Sequence, residues 1–141
     1  MFRKSTWDEL GGLDELMDPF YWEDVDLGYR ALKRGYINLW EPKSKVEHYK
    51  EAGVIALHFK KSTVTATAQR NQLLFIWKNI TDEGMLGQHR IALAKMLLQH
   101  PKYWAVFIQA LKQLPSLLKK RQIEQKAAKL TDQEILEMFA I

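Results

Sequence analysis

The sequence predicts an α/β segment over residues 1–62, followed by an all-helical extension over residues 63–141. Two observations support this division. In the first region, a helical pattern is followed by a short aromatic and aliphatic run that ends at a proline, which indicates a helix and then a strand. In the second region, apolar residues recur at three- and four-residue spacing, which is typical of amphipathic helices.

The first segment is expected to contain a turn, a helix and a strand. Gly11 and Gly12 predict the turn, and an acidic loop follows them. A helix is predicted from about residue 24 to residue 34, because Gly35 can take the left-handed conformation that ends a helix at little steric cost. Residues 36–40 then predict a β-strand, which the following proline ends.

The second segment is expected to contain helices throughout. The apolar spacing predicts them over residues 69–80, 88–99, 102–121 and 132–139. Pro115 is expected to kink the third of these helices. Thr131 and Glu134 have the spacing of a capping box at the start of the last one.

Composition narrows the class of protein. A chain of 141 residues with 47% hydrophobic residues fits one domain or part of a larger one. It contains no cysteine, so a disulfide framework and a thiolate zinc site are both excluded. The sequence shows neither the apolar region of a signal peptide nor a run of about 18 apolar residues. We therefore expect a cytoplasmic protein.

Charge is distributed unevenly along the chain. Residues 1–30 carry eight acidic and three basic side chains, whereas residues 101–130 carry one acidic and seven basic side chains. Residues 102–121 also place Trp104 and Phe107 on an apolar stripe. This stripe fits either a core between helices or a peripheral contact with an anionic membrane, at the inner face of the plasma membrane. Nucleic acid is disfavoured, because the aromatic residues do not alternate with the basic ones.

An acidic cluster precedes the predicted helix. Glu23, Asp24 and Asp26 fall within four positions and follow Tyr21 and Trp22. On one interpretation they are a solvated helix start, with an i,i+4 ion pair from Asp26 to the arginine at position 30 that contributes about 0.2–0.5 kcal/mol. On the other, one carboxylate is a general base and its neighbour orients a hydroxyl-bearing substrate against the aromatic rings, an arrangement that suits sugars.

Short motifs occur in a fixed order through the first third of the chain. They are Phe2-Arg3, Gly11-Gly12-Leu13-Asp14-Glu15, Glu23-Asp24-Val25-Asp26-Leu27, Arg30, Gly35-Tyr36, Pro42 and Val46-Glu47-His48. This ordered set resembles the acceptor-side half of the family 2 inverting glycosyltransferases, which have the GT-A fold. The pair Arg70-Asn71, followed by an aromatic-rich helix, is also similar to that family.

The resemblance implies a partial GT-A-like acceptor-binding segment and a role for each matching residue. Asp24 is implied as the catalytic base that takes a proton from the acceptor hydroxyl. Asp26 and Arg30 are implied as a structural ion pair, and His48 as a contact to a metal or a diphosphate. A loop histidine bonded to a backbone carbonyl is an equal alternative for His48. The residues implied in acceptor binding are Glu23, Trp22, Gly11 and Gly12.

The same resemblance implies partners and a cofactor for the full-length enzyme. These are a nucleotide-sugar donor, a glycan or lipid-linked acceptor, and Mg²⁺ or Mn²⁺ on the donor diphosphate. The nucleotide-binding strands and the metal-binding Asp-x-Asp have no counterpart here, so we expect the isolated chain to be inactive and to hold no metal. Asp24-Val25-Asp26 has Asp-x-Asp spacing, but it lies on the acceptor side and follows no hydrophobic strand.

Two further expectations follow. If the other half of the fold is absent, apolar residues at 37, 39 and 40 lie uncovered, so the chain is expected to self-associate. A rival interpretation is a non-catalytic helical adaptor whose basic surface binds membrane or an acidic partner.

Overall fold

A computed structural model describes residues 3–45, 47 and 54–140. Throughout these ranges the regular structure is helical, and the predicted α/β class is therefore wrong for them. The α-helices are α1 (Lys4–Leu10), α2 (Glu23–Lys33), α3 (Val54–His58), α4 (Lys61–Asn79), α5 (Glu83–Gln99), α6 (Tyr103–Lys112), α7 (Leu114–Ala127) and α8 (Asp132–Glu137). A 3₁₀ turn occupies Glu15–Met17.

The expected strand at residues 36–40 does not form. Tyr36 packs on α1 and α2, and its backbone N–H donates to the carbonyl of Ala31 at 3.0 Å. The following residues have no regular structure, and Leu39 and Trp40 are 89% and 87% exposed. A strand needs a neighbouring strand for its backbone hydrogen bonds, and none of the described residues supplies one. The described residues contain no sheet, so the expected GT-A-like α/β segment is corrected to a helical one.

Helix α2 forms where the sequence predicts a helix. It ends at Lys33, and Gly35 follows with a φ of 83°, the left-handed conformation that favours glycine. Leu27 and Ala31 are buried on the face that meets Leu10 of α1. The buried inner face fixes the position of the helix. Its first turn carries the acidic cluster and directly follows the loop that contains Tyr21 and Trp22.

Helix α4 lies at the centre of the molecule and packs against α2, α6 and α7. It begins at Lys61, eight residues before the predicted start. Leu74 on this helix is fully buried in a core that also includes Met17 from the first region and Val106 and Leu117 from the second. Core contacts therefore cross the boundary that the sequence places at residue 62.

The C-terminal helices differ from prediction in their number and in where they end. The single helix expected over residues 102–121 is divided at Gln113 into α6 and α7, and α7 continues to Ala127. Helix α8 ends at Glu137, two residues before its predicted end. Pro115 lies in the first turn of α7, where its missing N–H is tolerated. The capping box of Thr131 and Glu134 is confirmed at the start of α8.

Helix α5 is the least buried of the long helices. It starts after Asp82, whose side chain accepts from the N–H of Met85 at 2.8 Å, and it contains no fully buried residue. Its main helical contact is with α6. No helix in the described part of the chain combines the length and apolar character that crossing a bilayer requires.

Candidate functional site

The three acids at the start of α2 have different surroundings. Asp24 is exposed, and its Oδ1 accepts from the N–H of Val25 at 2.8 Å. Asp26 is completely buried. Glu23 is half-buried, and its Oε2 is buried without receiving a hydrogen bond from the described residues. Asp24 is therefore the one exposed residue of these three acids.

Asp24 lies in a small open cleft beside two aromatic residues. The cleft measures about 250 Å³ and is lined by Tyr21, Trp22, Asp24, Val25 and Ala68. Tyr21 is 43% exposed, whereas the ring of Trp22 packs on the Phe75 ring with centroids 5.3 Å apart. The structure thus brings together the carboxylate and the aromatic pair that the sequence places side by side.

The aromatic pair is held in an uncommon backbone conformation. Tyr21 and Trp22 have φ values of 69° and 75°, in the left-handed region that non-glycine residues rarely adopt. Such residues cost roughly 1–3 kcal/mol each and persist only where their surroundings impose them. Trp22 is also the N-cap of α2, so this conformation sets how the loop enters the helix.

Arg70 and Asn71 on α4 impose that loop conformation. The side-chain nitrogen of Asn71 donates towards three loop carbonyls, 2.6 Å from Met17, 2.9 Å from Phe20 and 3.0 Å from Tyr21. Arg70 donates to the Asn71 side-chain oxygen at 2.7 Å and to a fourth loop carbonyl. The sequence places this pair in the motif order, but its function in shaping the loop was not predicted.

Asp26 and Arg30 form a buried ion pair with further partners. Arg30 Nε lies 2.8 Å from Asp26 Oδ2, and the side chains are 4% and 0% exposed. The other Asp26 oxygen binds Lys78 at 2.6 Å and accepts from Asn79 at 2.7 Å. The guanidinium also donates to the carbonyl of Gly12 at 2.7 Å. This set of contacts ties α2 to α4 and to the turn after α1.

Asp14 extends this network, and sequence reasoning gave it no role. Its carboxylate lies 2.5 Å from Lys78 and 2.6 Å from Lys120 on α7, and it accepts from the N–H of Leu16 at 2.9 Å. Burial raises the pKa of Asp14, but the charge of Lys78 and these hydrogen bonds lower it to about 2. A lysine among the apolar residues of α4 was the available signal, because a buried ammonium needs a carboxylate partner.

The two glycines of the first turn lie away from the Asp24 cleft. Gly11 and Gly12 have φ values of 74° and 69°. A Cβ on Gly12 would lie 3.1 Å from the ring of Trp7, and its carbonyl is held by Arg30. Neither glycine lines the cleft. The contacts of Gly12 give it a structural function in the turn, and acceptor binding by the two glycines stays a prediction.

Asp24 and Asp26 do not form a metal-binding Asp-x-Asp pair. Both oxygens of Asp26 are engaged by Lys78, Arg30 and Asn79, so Asp26 is not available to share a cation with Asp24. No group of three potential ligands among His, Cys, Asp and Glu occurs within the described ranges. His48, the predicted contact to a metal or a diphosphate, lies outside those ranges.

Comparison with known proteins gives one partial likeness. No family model matches the chain, and no solved structure matches it. Two curated relatives are N-acetylglucosaminyl-diphospho-decaprenol L-rhamnosyltransferases from Mycobacterium tuberculosis, strains CDC 1551 / Oshkosh and ATCC 25618 / H37Rv. Each is 34% identical over 71 residues, covering 45% of this chain and 23% of the relative. The chain spans less than a quarter of their length, and the likeness supports a relationship to a glycosyltransferase.

Proposed function

We propose that this chain supplies the acceptor side of an inverting glycosyltransferase, with Asp24 as the general base. The observation that carries the proposal is the cleft in which the exposed Asp24 carboxylate lies beside Tyr21 and Trp22. Aromatic faces stack on the C–H faces of sugars, and a carboxylate accepts hydrogen bonds from their hydroxyls. The partial likeness to a glycosyltransferase agrees with this chemistry.

The proposed reaction is an in-line displacement at the anomeric carbon of a nucleotide-sugar donor. An acceptor hydroxyl attacks that carbon and transfers its proton to an Asp24 carboxylate oxygen, while the nucleoside diphosphate leaves from the opposite face. Asp24 lies in the first turn of α2, where the helix dipole favours negative charge. Asp26 does not fit this role, because its oxygens are buried and already paired.

Acceptor binding is assigned to the residues around this base. The exposed face of Tyr21 and the edge of Trp22 offer surfaces for a sugar ring. The unpaired buried oxygen of Glu23 provides an acceptor for a further hydroxyl if the side chain turns towards the cleft. The acceptor class is a glycan or a lipid-linked sugar. We assign donor binding, and the Mg²⁺ or Mn²⁺ on its diphosphate, to residues outside this cleft.

The test is Asp24→Asn in the smallest form of the protein that transfers sugar. The assay uses nucleotide-activated L-rhamnose and a lipid diphosphate-linked N-acetylglucosamine, the sugars named for the relatives. Asparagine keeps the size of the side chain but cannot take the proton. We expect kcat to fall by about 10²–10⁴-fold with little change in the donor KM.

Asp8→Asn is the matched control, because Asp8 is an exposed acid of α1 that pairs with Lys4. It should leave turnover unchanged. Near-normal turnover in Asp24→Asn would contradict the assignment of the base. If neither this chain nor any longer form of the protein transfers sugar, the non-catalytic adaptor is favoured.

A further inference from the structure

Helix α6 is apolar on two opposite sides. Val106 and Ala110 are buried against the core. On the other side, Trp104, Ile108 and Leu111 follow one another at four- and three-residue spacing and are 48%, 47% and 40% exposed. A helix that is apolar all round requires an apolar environment on both sides. Among the described residues, only the core side of α6 meets an apolar environment.

Exposed apolar side chains also occur on the neighbouring helices. Leu118 on α7, beyond the break at Gln113, is 48% exposed. At the other end, the indole N–H of Trp104 donates to the carbonyl of Leu97 on α5 at 3.1 Å. Leu98, the next residue of α5, is 83% exposed. We define Trp104, Ile108, Leu111 and Leu118 as the apolar face.

The surroundings of the apolar face are cationic. Residues 84–123 contain seven lysine or arginine residues and no aspartate or glutamate. Lys112 and Lys119 each follow directly after a leucine of the face and are exposed. Lys120 and Arg121, in contrast, point inwards and bind Asp14 and backbone carbonyls of α4. The cations left at the surface beside apolar side chains match an anionic, partly apolar partner.

We propose that the apolar face docks on the surface of a bilayer that contains anionic phospholipids. Trp104, Ile108 and Leu111 enter the boundary between head groups and acyl chains, and Lys112 and Lys119 contact the anionic lipids. A nucleic acid offers phosphates but no apolar layer for Ile108 and Leu111. This proposal rests on the apolar face and on the lysines beside it, so it is independent of the catalytic role of Asp24.

Co-sedimentation of the full chain with lipid vesicles tests the proposal. We expect binding to vesicles of 70% phosphatidylcholine and 30% phosphatidylglycerol and little binding to phosphatidylcholine alone. Salt should weaken the binding, because it screens exposed charge. Trp104→Ser combined with Ile108→Ser should lower the partition coefficient by at least roughly tenfold, and Lys112→Gln should lower it by about fivefold.

Trp40→Ser is the matched control, because Trp40 is 87% exposed and lies outside the apolar face. It should bind vesicles like the parent chain. Circular dichroism of each variant checks that the helices remain.

Three results would overturn the proposal. One is equal recovery with neutral and anionic vesicles. Another is an equal loss of binding in Trp40→Ser and in the Trp104 and Ile108 double variant. The third is a stable dimer by light scattering that the double variant dissociates, because a second copy would then cover the apolar face.

Discussion

Lys78 and Asp26 form an ion pair of 2.6 Å in which neither side chain is exposed. The same ammonium group lies 2.5 Å from Asp14, so a single lysine of α4 joins the acidic helix α2 to the loop before it. Burying these charges is costly, and the close pairing offsets that cost. Removing one of these three side chains therefore lowers the stability of the fold more than removing a surface ion pair does.

Lys78→Met should destabilise the fold by about 3–5 kcal/mol, because Asp14 and Asp26 lose a shared counter-ion inside the protein. Urea unfolding measures this change. Lys4→Met is the control, because Lys4 and Asp8 form an exposed pair of 2.9 Å, and its effect should stay within about 1 kcal/mol. Equal effects of the two substitutions would show that the buried network adds nothing to stability.

Asn71→Ala should distort the Asp24 cleft as well as lower stability. The substitution removes the donor to three carbonyls of the loop that holds Tyr21 and Trp22, and each buried acceptor left unpaired costs about 1–3 kcal/mol. In the active enzyme we expect a higher acceptor KM and an unchanged donor KM. Gln72→Ala, an exposed neighbour on α4, should change neither stability nor kinetics.

Acid should destabilise the protein through Asp132 on α8. Burial raises the pKa of this carboxyl, but hydrogen bonds from Lys33, Tyr29 and Thr81 lower it from its usual 3.8 to about 2. The stability that it contributes is complete above pH 3.8 and is lost as the pH falls through about 2. Asp132→Asn should lower stability at pH 7 and flatten its decline between pH 4 and pH 2, as chemical denaturation at each pH would show.

His89 should titrate below its usual pKa of 6.5, because burial disfavours the charged imidazole. Its Nε2 accepts from the indole N–H of Trp77 at 3.1 Å, so the neutral ring carries its proton on Nδ1. The stability from this neutral ring is present above pH 6.5 and is lost as the pH falls through the lower, folded-state pKa. Nitrogen NMR reports both the tautomer and the pKa. Trp77→Phe should raise that pKa, and no change would contradict the hydrogen bond.

The sequence predicted local features well and long-range ones poorly. Helix α2 begins and ends one residue before its predicted bounds, because Gly35 is a strong local signal. The strand at residues 36–40 was wrong, because strand formation depends on a pairing partner that the described residues do not provide. Local propensity alone does not identify such a partner.

In the candidate site, too, local features were predicted and long-range contacts were not. The spacing of Asp26 and Arg30 indicated an ion pair, and the structure has one, but its burial was not visible in the pattern. An exposed pair of this kind contributes only a few tenths of a kcal/mol. The burial comes from Asn79, which lies 53 positions from Asp26, and from Lys78 beside it. Periodicity within one helix carries no information about contacts at that distance.

The ion pair between Asp14 and Lys120 joins residues that are 106 positions apart. During synthesis the acidic loop therefore leaves the ribosome long before the lysine that completes its network exists. Contacts of such sequence separation form late and slow the folding of a chain. Until Lys120 has been synthesised, the carboxylates of the N-terminal segment lack part of their counter-ions. A chaperone that recognises nascent chains would bind the segment in that state.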